Sequence, residues 1–399
     1  SKIMVARLFL GLIVYSAFFS CDYTIDDVSL EQTRVADSLR VVQRLDSIRI
    51  AISAEKKTKL IKLILEDKVR KGFNGSALVY QGGLTLVDSV YGYANFEDEM
   101  LITGETPFQL ASLSKTFTSI SVLKLVEEGK LSLDLTVKDY FPEFPYEGVT
   151  LRSLLSHRSG LPYYQYTFDK KARGEKVFPD NQLLMKWFEE ASPKPKAFNL
   201  PDHYFSYNNS NYAILAAIIE KVSEVDFAHF LKKNIFEPLK MSHSSFVTEL
   251  NDSLPRTYGY QYGRRIPFDI YDKIGGDKGV YSTTSDLLKW YEALKSEKII
   301  SKASLREAYT PRSFEFPGLR NYGYGFRLWL NDKQQTDYVY HTGWWKGYNT
   351  IMFFDLREDF VIILLSNRYN KDVYKVKEII DVLHDGKRAT SVEENILDE

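Results

Sequence analysis

Residues 111–118 of the chain read ASLSKTFT and place a serine, Ser112, three residues before a lysine, Lys115. Such a pair can be the nucleophile and the base of a serine hydrolase, because a serine hydroxyl reacts well only when a neighbouring base takes its proton. The spacing alone does not decide, since residues 53–56 (SAEK) and 121–124 (SVLK) repeat it. The surroundings of each pair therefore have to select among them.

The context of the three pairs favours Ser112. Residues 112–128 are predicted to form one helix that Gly129 ends, and the extended stretch TPFQLA precedes it. Ser112 then lies at the first helical turn, with Lys115 one turn later on the same face. The N–H groups at a helix N-terminus can also stabilise an oxyanion. By contrast, Ser53 joins two predicted helices and Ser121 lies in the middle of one.

Composition excludes several classes of protein. The chain has 399 residues, enough for one large domain or two lobes, and is 44% hydrophobic and 26% charged, as soluble proteins are. With 52 basic and 53 acidic residues it lacks the basic excess of a nucleic-acid binder. One cysteine and six histidines without a metal-binding motif predict neither metal nor cofactor. A Gly-x-Ser-x-Gly elbow, typical of α/β-hydrolases, is absent from the sequence.

The first residues are typical of an export signal. Lys2 and Arg7 are followed by the apolar run LFLGLIVYSAFFS, residues 8–20, and then by Cys21. Residues 1–21 are therefore predicted to be a signal peptide or a lipoprotein leader, with Cys21 lipidated and the protein tethered to a membrane of the cell envelope. Ordinary cleavage beside an incidental cysteine is the alternative.

The rest of the chain predicts an α+β fold with an antiparallel sheet. Apolar residues spaced by three or four between 35 and 52 indicate a helix, either a stalk within residues 22–55 or a helix packed on the main body. A second helix is predicted from about Lys56 to Lys71, with Gly72 as its stop, and a hairpin is predicted around residues 81–83. The predicted catalytic domain covers residues 56–385, a helix covers 372–384 and a disordered tail 386–399. Its sheet lobe takes residues 56–135 and 270–385, and its helical lobe takes 136–269.

Two further motifs support hydrolase chemistry. Tyr207-Asn208-Asn209 provides a phenol that can donate or accept a proton and an amide that can orient a lysine. It is weak alone, because Tyr93-Ala94-Asn95 has the same pattern. His341-Thr342-Gly343 lies at a predicted β run, and a Lys or His followed by Thr or Ser and Gly occurs only there in the sequence.

The three motifs, in this order, resemble those of the class C β-lactamase and DD-peptidase group of penicillin-recognising serine hydrolases. The likeness extends over residues 75–367 and includes LLSHRSGLP (154–162), GVYSTTSDLLKW (279–290) and HTGWWKGYN (341–349). It implies a β-lactamase/transpeptidase-like fold, with an antiparallel sheet flanked by helices and a mostly helical lobe.

The resemblance also implies a role for each motif residue. Ser112 would attack a carbonyl and form an acyl-enzyme, while Lys115 and Tyr207 would share the proton transfers, with the choice of base left open. The N–H groups of Ser112 and Trp344 would form the oxyanion hole. The remaining implied substrate-binding residues are Asn209, His341, Thr342 and Gly343.

Departures from the usual pattern limit the implied substrate. His341 stands where many such β-lactamases carry lysine, and is similar to certain DD-carboxypeptidases, esterases and D-amino-acid amidases. The predicted function is hydrolysis of amides or esters, DD-peptidase-like or β-lactamase-related; alternatives are an esterase, a D-amino-acid amidase or a non-catalytic envelope binding protein. If His341 binds a substrate carboxylate, its pKa near ~6.5 predicts that activity on such substrates falls from about pH 6 to 8.

Overall fold

The computed structural model describes residues 25–386 and Val392. The predicted leader with Cys21 and nearly all of the predicted tail lie outside these residues. The chain divides into two compact units, one that ends at Lys56 and one that begins at Lys57. Within the described part, no helix is long and apolar enough to span a membrane. The assignment of residues 22–55 as a stalk stays a prediction.

The described residues form the following helices and strands. The α-helices are α1 Ile25–Arg70, α2 Lys115–Glu127, α3 Leu151–Leu155, α4 Tyr164–Thr167, α5 Asp169–Glu175, α6 Asn181–Glu190, α7 Asn209–Ser223, α8 Phe227–Leu231, α9 Thr284–Lys295, α10 Lys302–Ala308 and α11 Lys377–Leu383. Short 3₁₀ turns cover Ala111–Ser114, Val137–Asp139, Val247–Glu249 and Lys371–Tyr374, and a π turn covers Lys232–Phe236. The strands are β1 Gly75–Gln81, β2 Leu84–Tyr91, β3 Tyr93–Asn95, β4 Met100–Leu101, β5 Phe108–Gln109, β6 Ser245–Phe246, β7 Tyr260–Gln261, β8 Arg264–Arg265, β9 Val280–Ser282, β10 Arg320–Tyr322, β11 Arg327–Leu330, β12 Thr336–Trp345, β13 Tyr348–Asp355 and β14 Phe360–Ser366.

Two helix predictions need correction. The two helices predicted on either side of Ser53 are one continuous helix, α1, because residues 25–71 contain no glycine or proline that would interrupt it. Conversely, the helix predicted over residues 372–384 is split into the 3₁₀ turn Lys371–Tyr374 and the shorter α11. The end of α1 before Gly72, which has a φ of +101°, is as predicted.

The main sheet confirms the predicted α+β architecture. Seven strands lie in the order β10-β11-β12-β13-β14-β1-β2, and every neighbouring pair is antiparallel. The predicted hairpin is β1–β2, which turns at Gly82 and Gly83 with positive φ angles. The first two strands in the chain and the last five thus form one sheet, and helices α2 to α10 come from the residues between them.

Helix α2 carries the candidate nucleophile to the centre of the molecule. Its first turn is 3₁₀, from Ala111 to Ser114, and its end at Gly129 follows the prediction. The helix is almost entirely buried, and the ring of Phe117 stacks on that of Trp290 at 4.4 Å. Because residues 115–123 are all buried, the direction of α2 is fixed, and so is the position of Ser112 against β12.

Candidate active site

The turn before Ser112 is tightly held. Ala111 has a φ of +52°, a left-handed conformation that costs energy for a residue other than glycine. The side-chain oxygen of Gln109 accepts hydrogen bonds from the N–H groups of Ala111 and Gly279, both at 3.0 Å. Against this turn packs Gly343 of β12, where a Cβ atom would come within 2.4 Å of the Leu110 carbonyl oxygen. The absent side chain therefore lets β12 approach the nucleophile.

Lys115 is the centre of the polar contacts. Its side chain is fully buried, and its Nζ lies 2.9 Å from Ser112 Oγ, 2.8 Å from Asn209 Oδ1 and 3.0 Å from the carbonyl oxygen of Asp277. The amide and carbonyl oxygens can only accept, whereas the serine hydroxyl can also donate. A neutral amine that donates to Asn209 and Asp277 therefore turns its lone pair towards the Ser112 hydroxyl. This is the geometry that a general base requires.

Asp277 was not predicted from the sequence, and its main chain is placed by a glycine. Gly276 has a φ of +96°, and a Cβ atom there would lie 2.1 Å from the carbonyl oxygen of Tyr212 on α7. Only glycine lets this segment pack directly on α7. The close approach brings the Asp277 carbonyl to Lys115. The GG pair at residues 275–276 is the sequence signal that could have indicated this contact.

Tyr207 lies beside the lysine and is held by an unpredicted histidine. The centre of its ring is 4.7 Å from Lys115 Nζ and 4.4 Å from the ring of His157. His157 binds the residues on either side of Tyr207, because its carbonyl accepts from the Ser206 N–H at 2.8 Å and its Nδ1 accepts from the Asn208 N–H at 3.1 Å. Burial lowers the pKa of His157 well below its usual value. A neutral His157 therefore positions Tyr207.

His341 is buried and neutral, which corrects the expected charge. Its Nδ1 lies 2.6 Å from the Thr342 carbonyl, so this nitrogen carries the proton, and its Nε2 lies 3.0 Å from the hydroxyl of Tyr322, from which it can accept. Burial, followed by the charge of Arg327, lowers the pKa of His341 well below its usual value. The expected loss of carboxylate-binding charge from about pH 6 to 8 therefore loses its basis.

Arg327 supplies a permanent positive charge beside His341. It lies on β11 opposite Tyr340, next to the His-Thr-Gly motif in the sheet register. The guanidinium carbon is 4.6 Å from the centre of the Tyr207 ring. Its charge also acts on His157 and His341. An arginine remains protonated at every pH at which proteins fold. No motif in the sequence marks it, and only the register of the sheet brings it to the site.

The edge of β12 beside the nucleophile carries groups suited to a substrate. Pairing with β11 ends at Tyr340, so residues 341–345 pair with β13 but not with β11. Thr342 Oγ1 is buried without a hydrogen-bond partner in the described part of the chain, which is costly unless a ligand binds it. Trp344 is 57% exposed. Its side chain therefore reaches solvent rather than filling the core.

The structure brings the predicted residues together and disperses the rival ones. Ser112, Lys115, Tyr207 and Asn209 meet around one amine, with His341 and Thr342 on the adjoining strand. Among the rivals, residues 53–56 belong to α1, Tyr93 and Asn95 belong to β3, and Ser121 donates to the Phe117 carbonyl within α2. Cys21, predicted to be lipidated, lies outside the described residues. Over the described residues, no group of three or more His, Cys, Asp or Glu side chains could hold a metal.

Comparisons with known proteins identify relatives of the chain. The chain is 32% identical over 319 residues to a penicillin-binding protein of Bacillus subtilis (strain 168), across 76% of this chain and 70% of that protein. It is 24% identical to Protein flp of Staphylococcus aureus (strain N315), across 80% of this chain but only 64% of that protein.

Solved structures show the same fold. A penicillin-binding protein homologue from Pyrococcus abyssi is 28% identical with a TM-score of 0.68, covering 82% of this chain and 77% of that one. A class C β-lactamase mutant is 20% identical with a TM-score of 0.69, covering 83% and 98%. The β-lactamase family model matches residues 61–384. The chain belongs to the β-lactamase family of serine hydrolases.

Proposed function

We propose that this protein hydrolyses amide bonds through an acyl-enzyme on Ser112, with Lys115 as the general base. The observation that carries the proposal is the contact of Lys115 Nζ with Ser112 Oγ, Asn209 Oδ1 and the Asp277 carbonyl. These contacts direct the amine at the hydroxyl and fix it there. The centre of the Tyr207 ring lies 4.7 Å from the same amine, and its phenol is suited to pass a proton to the leaving group.

The steps balance without a cofactor. The Ser112 hydroxyl gives its proton to the neutral amine of Lys115 while its oxygen forms a bond to the substrate carbonyl carbon. The N–H groups of Ser112 and Trp344 would stabilise the resulting oxyanion. The bond from that carbon to the amide nitrogen then breaks, and the leaving nitrogen takes a proton that Tyr207 relays from Lys115. Water hydrolyses the remaining ester by the same proton transfers in reverse and frees Ser112.

We infer that the preferred substrates carry a carboxylate next to the scissile amide, as D-Ala-D-Ala peptides of the cell wall do. Arg327 offers a permanent positive charge beside His341. Thr342 offers a buried hydroxyl, Oγ1, that has no hydrogen-bond partner in the described part of the chain. Both groups suit a carboxylate, and neither is needed for an uncharged ester. The relative named a penicillin-binding protein supports this choice.

The test is the intact-protein mass after incubation with benzylpenicillin, measured for wild type and Ser112→Ala, together with the amount of drug that remains. A lasting adduct that forms on wild type but not on Ser112→Ala supports a cell-wall peptidase. If wild type hydrolyses the drug without a lasting adduct and Ser112→Ala does not hydrolyse it, the protein is a β-lactamase. No adduct and intact drug would contradict the carboxylate proposal, and would turn attention to esters, D-amino-acid amides or the binding-only alternative.

We also propose that residues 1–21 direct export and that Cys21 is lipidated, which would tether the protein to a membrane of the cell envelope. The support is the basic start, the apolar run and the cysteine that follows it. Fractionation of cells that express wild type or Cys21→Ser tests the proposal. Wild type should remain with membranes after a high-salt wash, and the variant should be released. Equal release of both would contradict lipidation.

A further inference from the structure

A buried charged cluster adjoins the candidate base through Asp277. The side chains of Asp277 and Lys278 are 0% and 3% exposed, and Lys278 Nζ lies 3.3 Å from Asp277 Oδ2. The hydroxyl of Tyr164 accepts from Lys278 at 2.9 Å and donates to Asp277 Oδ2 at 2.7 Å. The main-chain carbonyl of the same Asp277 binds Lys115. One residue therefore joins the charged cluster to the catalytic amine.

The charge of Asp277 bears on the protonation of Lys115. A carboxylate buried near an amine stabilises the ammonium form, because charges interact more strongly away from water than in it. An ammonium has no lone pair with which to take the proton of Ser112. The adjacent ammonium of Lys278 offsets this effect, since the pair has no net charge. The cluster thus holds the Asp277 carbonyl in place without favouring the protonated form of Lys115.

We propose that Lys278 is a positioning residue for the reaction of Ser112: it neutralises the Asp277 carboxylate, so that Lys115 can be neutral at the pH of catalysis. The part that Lys278 takes in a reaction rests on the function proposed for Ser112 above. It adds to that function a residue that touches neither substrate nor nucleophile and acts through Asp277 and Lys115.

Arg327 is also positively charged near this site, but it is unchanged in every variant of Asp277 and Lys278, so those variants isolate the effect of the ion pair. Burial raises the pKa of Tyr164 and Tyr212 well above the usual value, so both remain neutral phenols. Burial likewise lowers the pKa of both neighbouring histidines, which are neutral. Burial also raises the pKa of Asp272, whose carboxylate accepts from the indole of Trp345. Among the described residues, the groups around the amine and the ion pair include His157, Tyr164, Tyr207, Tyr212, Asp269, Tyr271, Asp272, Arg327, His341 and Trp345.

The direct test follows the Lys115 amine by NMR in protein labelled with ¹⁵N at the lysine Nζ, with Lys115→Arg to assign the signal. In Lys278→Met the uncompensated carboxylate should move the pH at which Lys115 loses its proton upwards by about one unit. Asp277→Asn, which leaves Lys278 alone, should move it downwards. The double variant Asp277→Asn/Lys278→Met should return it to the wild-type pH. Opposite shifts and their cancellation distinguish a charge effect from a loss of packing.

A matched control is Lys68→Met, because Lys68 is a comparably buried lysine, 5% exposed, in an ion pair with Asp372. This change should destabilise the protein without moving the Lys115 titration. If Lys278→Met does not fold, Asp277→Asn and the double variant still decide. An unchanged titration in every folded variant, or a shift in the same direction for both single variants, would overturn the inference.

A kinetic measurement connects the titration to the reaction. The acidic limb of the pH profile of kcat/KM for acylation should move with the Lys115 titration, upwards in Lys278→Met and back again in the double variant. On that limb, a shift of about one unit lowers kcat/KM about tenfold at fixed pH. If wild type forms no acyl-enzyme, the proposed function fails, whereas the NMR titration still decides the role of Lys278.

Discussion

Replacing Arg327 by glutamine should separate substrates that carry a carboxylate from those that do not. The guanidinium carbon lies 4.6 Å from the Tyr207 ring, and Arg327 remains charged beside the neutral His341. A hydrogen bond to a charged group contributes about 1.5–3 kcal/mol. Because about 1.4 kcal/mol corresponds to a tenfold change, kcat/KM for a carboxylate-ended peptide should fall about tenfold to 150-fold.

The assay compares a D-Ala-D-Ala peptide with an uncharged ester of similar size at several pH values. Arg327→Gln should leave kcat/KM for the ester within about twofold of wild type, because an uncharged ester has no carboxylate for Arg327 to bind. In wild type the ratio of the two kcat/KM values should be constant from about pH 6 to 8, since the pKa of His341 is lowered well below its usual value. The matched control is Arg320→Gln, which removes an exposed guanidinium from β10 of the same sheet.

Two results would refute the reasoning about Arg327. An equal loss on peptide and ester would mean that the arginine supports the site rather than binds a carboxylate. A ratio that falls with a midpoint near pH ~6.5 would return the charge to His341, because that is the usual titration range of an imidazole.

Three further predictions follow from the same site. Because burial lowers the pKa of His157 and His341, the unfolded chain takes up protons that the folded chain does not; the free energy of unfolding should fall below pH ~6.5, by about 1.4 kcal/mol per histidine at pH 5.5. Urea unfolding at pH 7.5 and 5.5 measures this difference in the free energy of unfolding, and His341→Asn should lose about half of it. An equal free energy of unfolding at both pH values in wild type would contradict the prediction. Thr342→Val should raise the free energy of unfolding by about 1 kcal/mol, since it removes a buried hydroxyl without a partner in the described chain. The same change should lower kcat/KM for the peptide. Higher stability with unchanged kinetics would exclude Thr342 from substrate binding. Asn209→Ala should lower kcat/KM about tenfold to 100-fold on peptide and ester alike, because Lys115 loses an acceptor, and an unchanged rate would exclude that role.

The sequence was sufficient for the fold class and for the polar residues of the motifs. Ser112 and Lys115 are a local pair on one turn, so that helix geometry alone predicts their contact. The ends of α1 and α2 were predictable because Gly72 and Gly129 stop helices by their conformational freedom. The continuity of α1 through Ser53 was missed, because a serine neither stops a helix nor requires one.

The remaining site groups depend on tertiary contacts that no local pattern encodes. Arg327 reaches the site through the register of β11 with β12, and Asp277 through the packing of a glycine on α7. The neutrality of His341 depends on burial and on the charge of Arg327, neither of which is visible in the letters His-Thr-Gly. Motifs therefore indicated which residues meet, while their protonation required the surrounding structure.

The pairing of β1 with β14 has a consequence for the order of folding. These strands pair from Gly75 with Ser366 to Gln81 with Phe360, and the side chains of Asn74 and Asn367 bond across 293 positions of sequence. Since such distant partners must meet before the pairing gains free energy, the sheet forms slowly and only late in synthesis. Nearly the whole domain must leave the ribosome before β1 and β14 can pair. Until then, the chain on the ribosome lacks the strand pair that joins the two ends of the domain in one sheet.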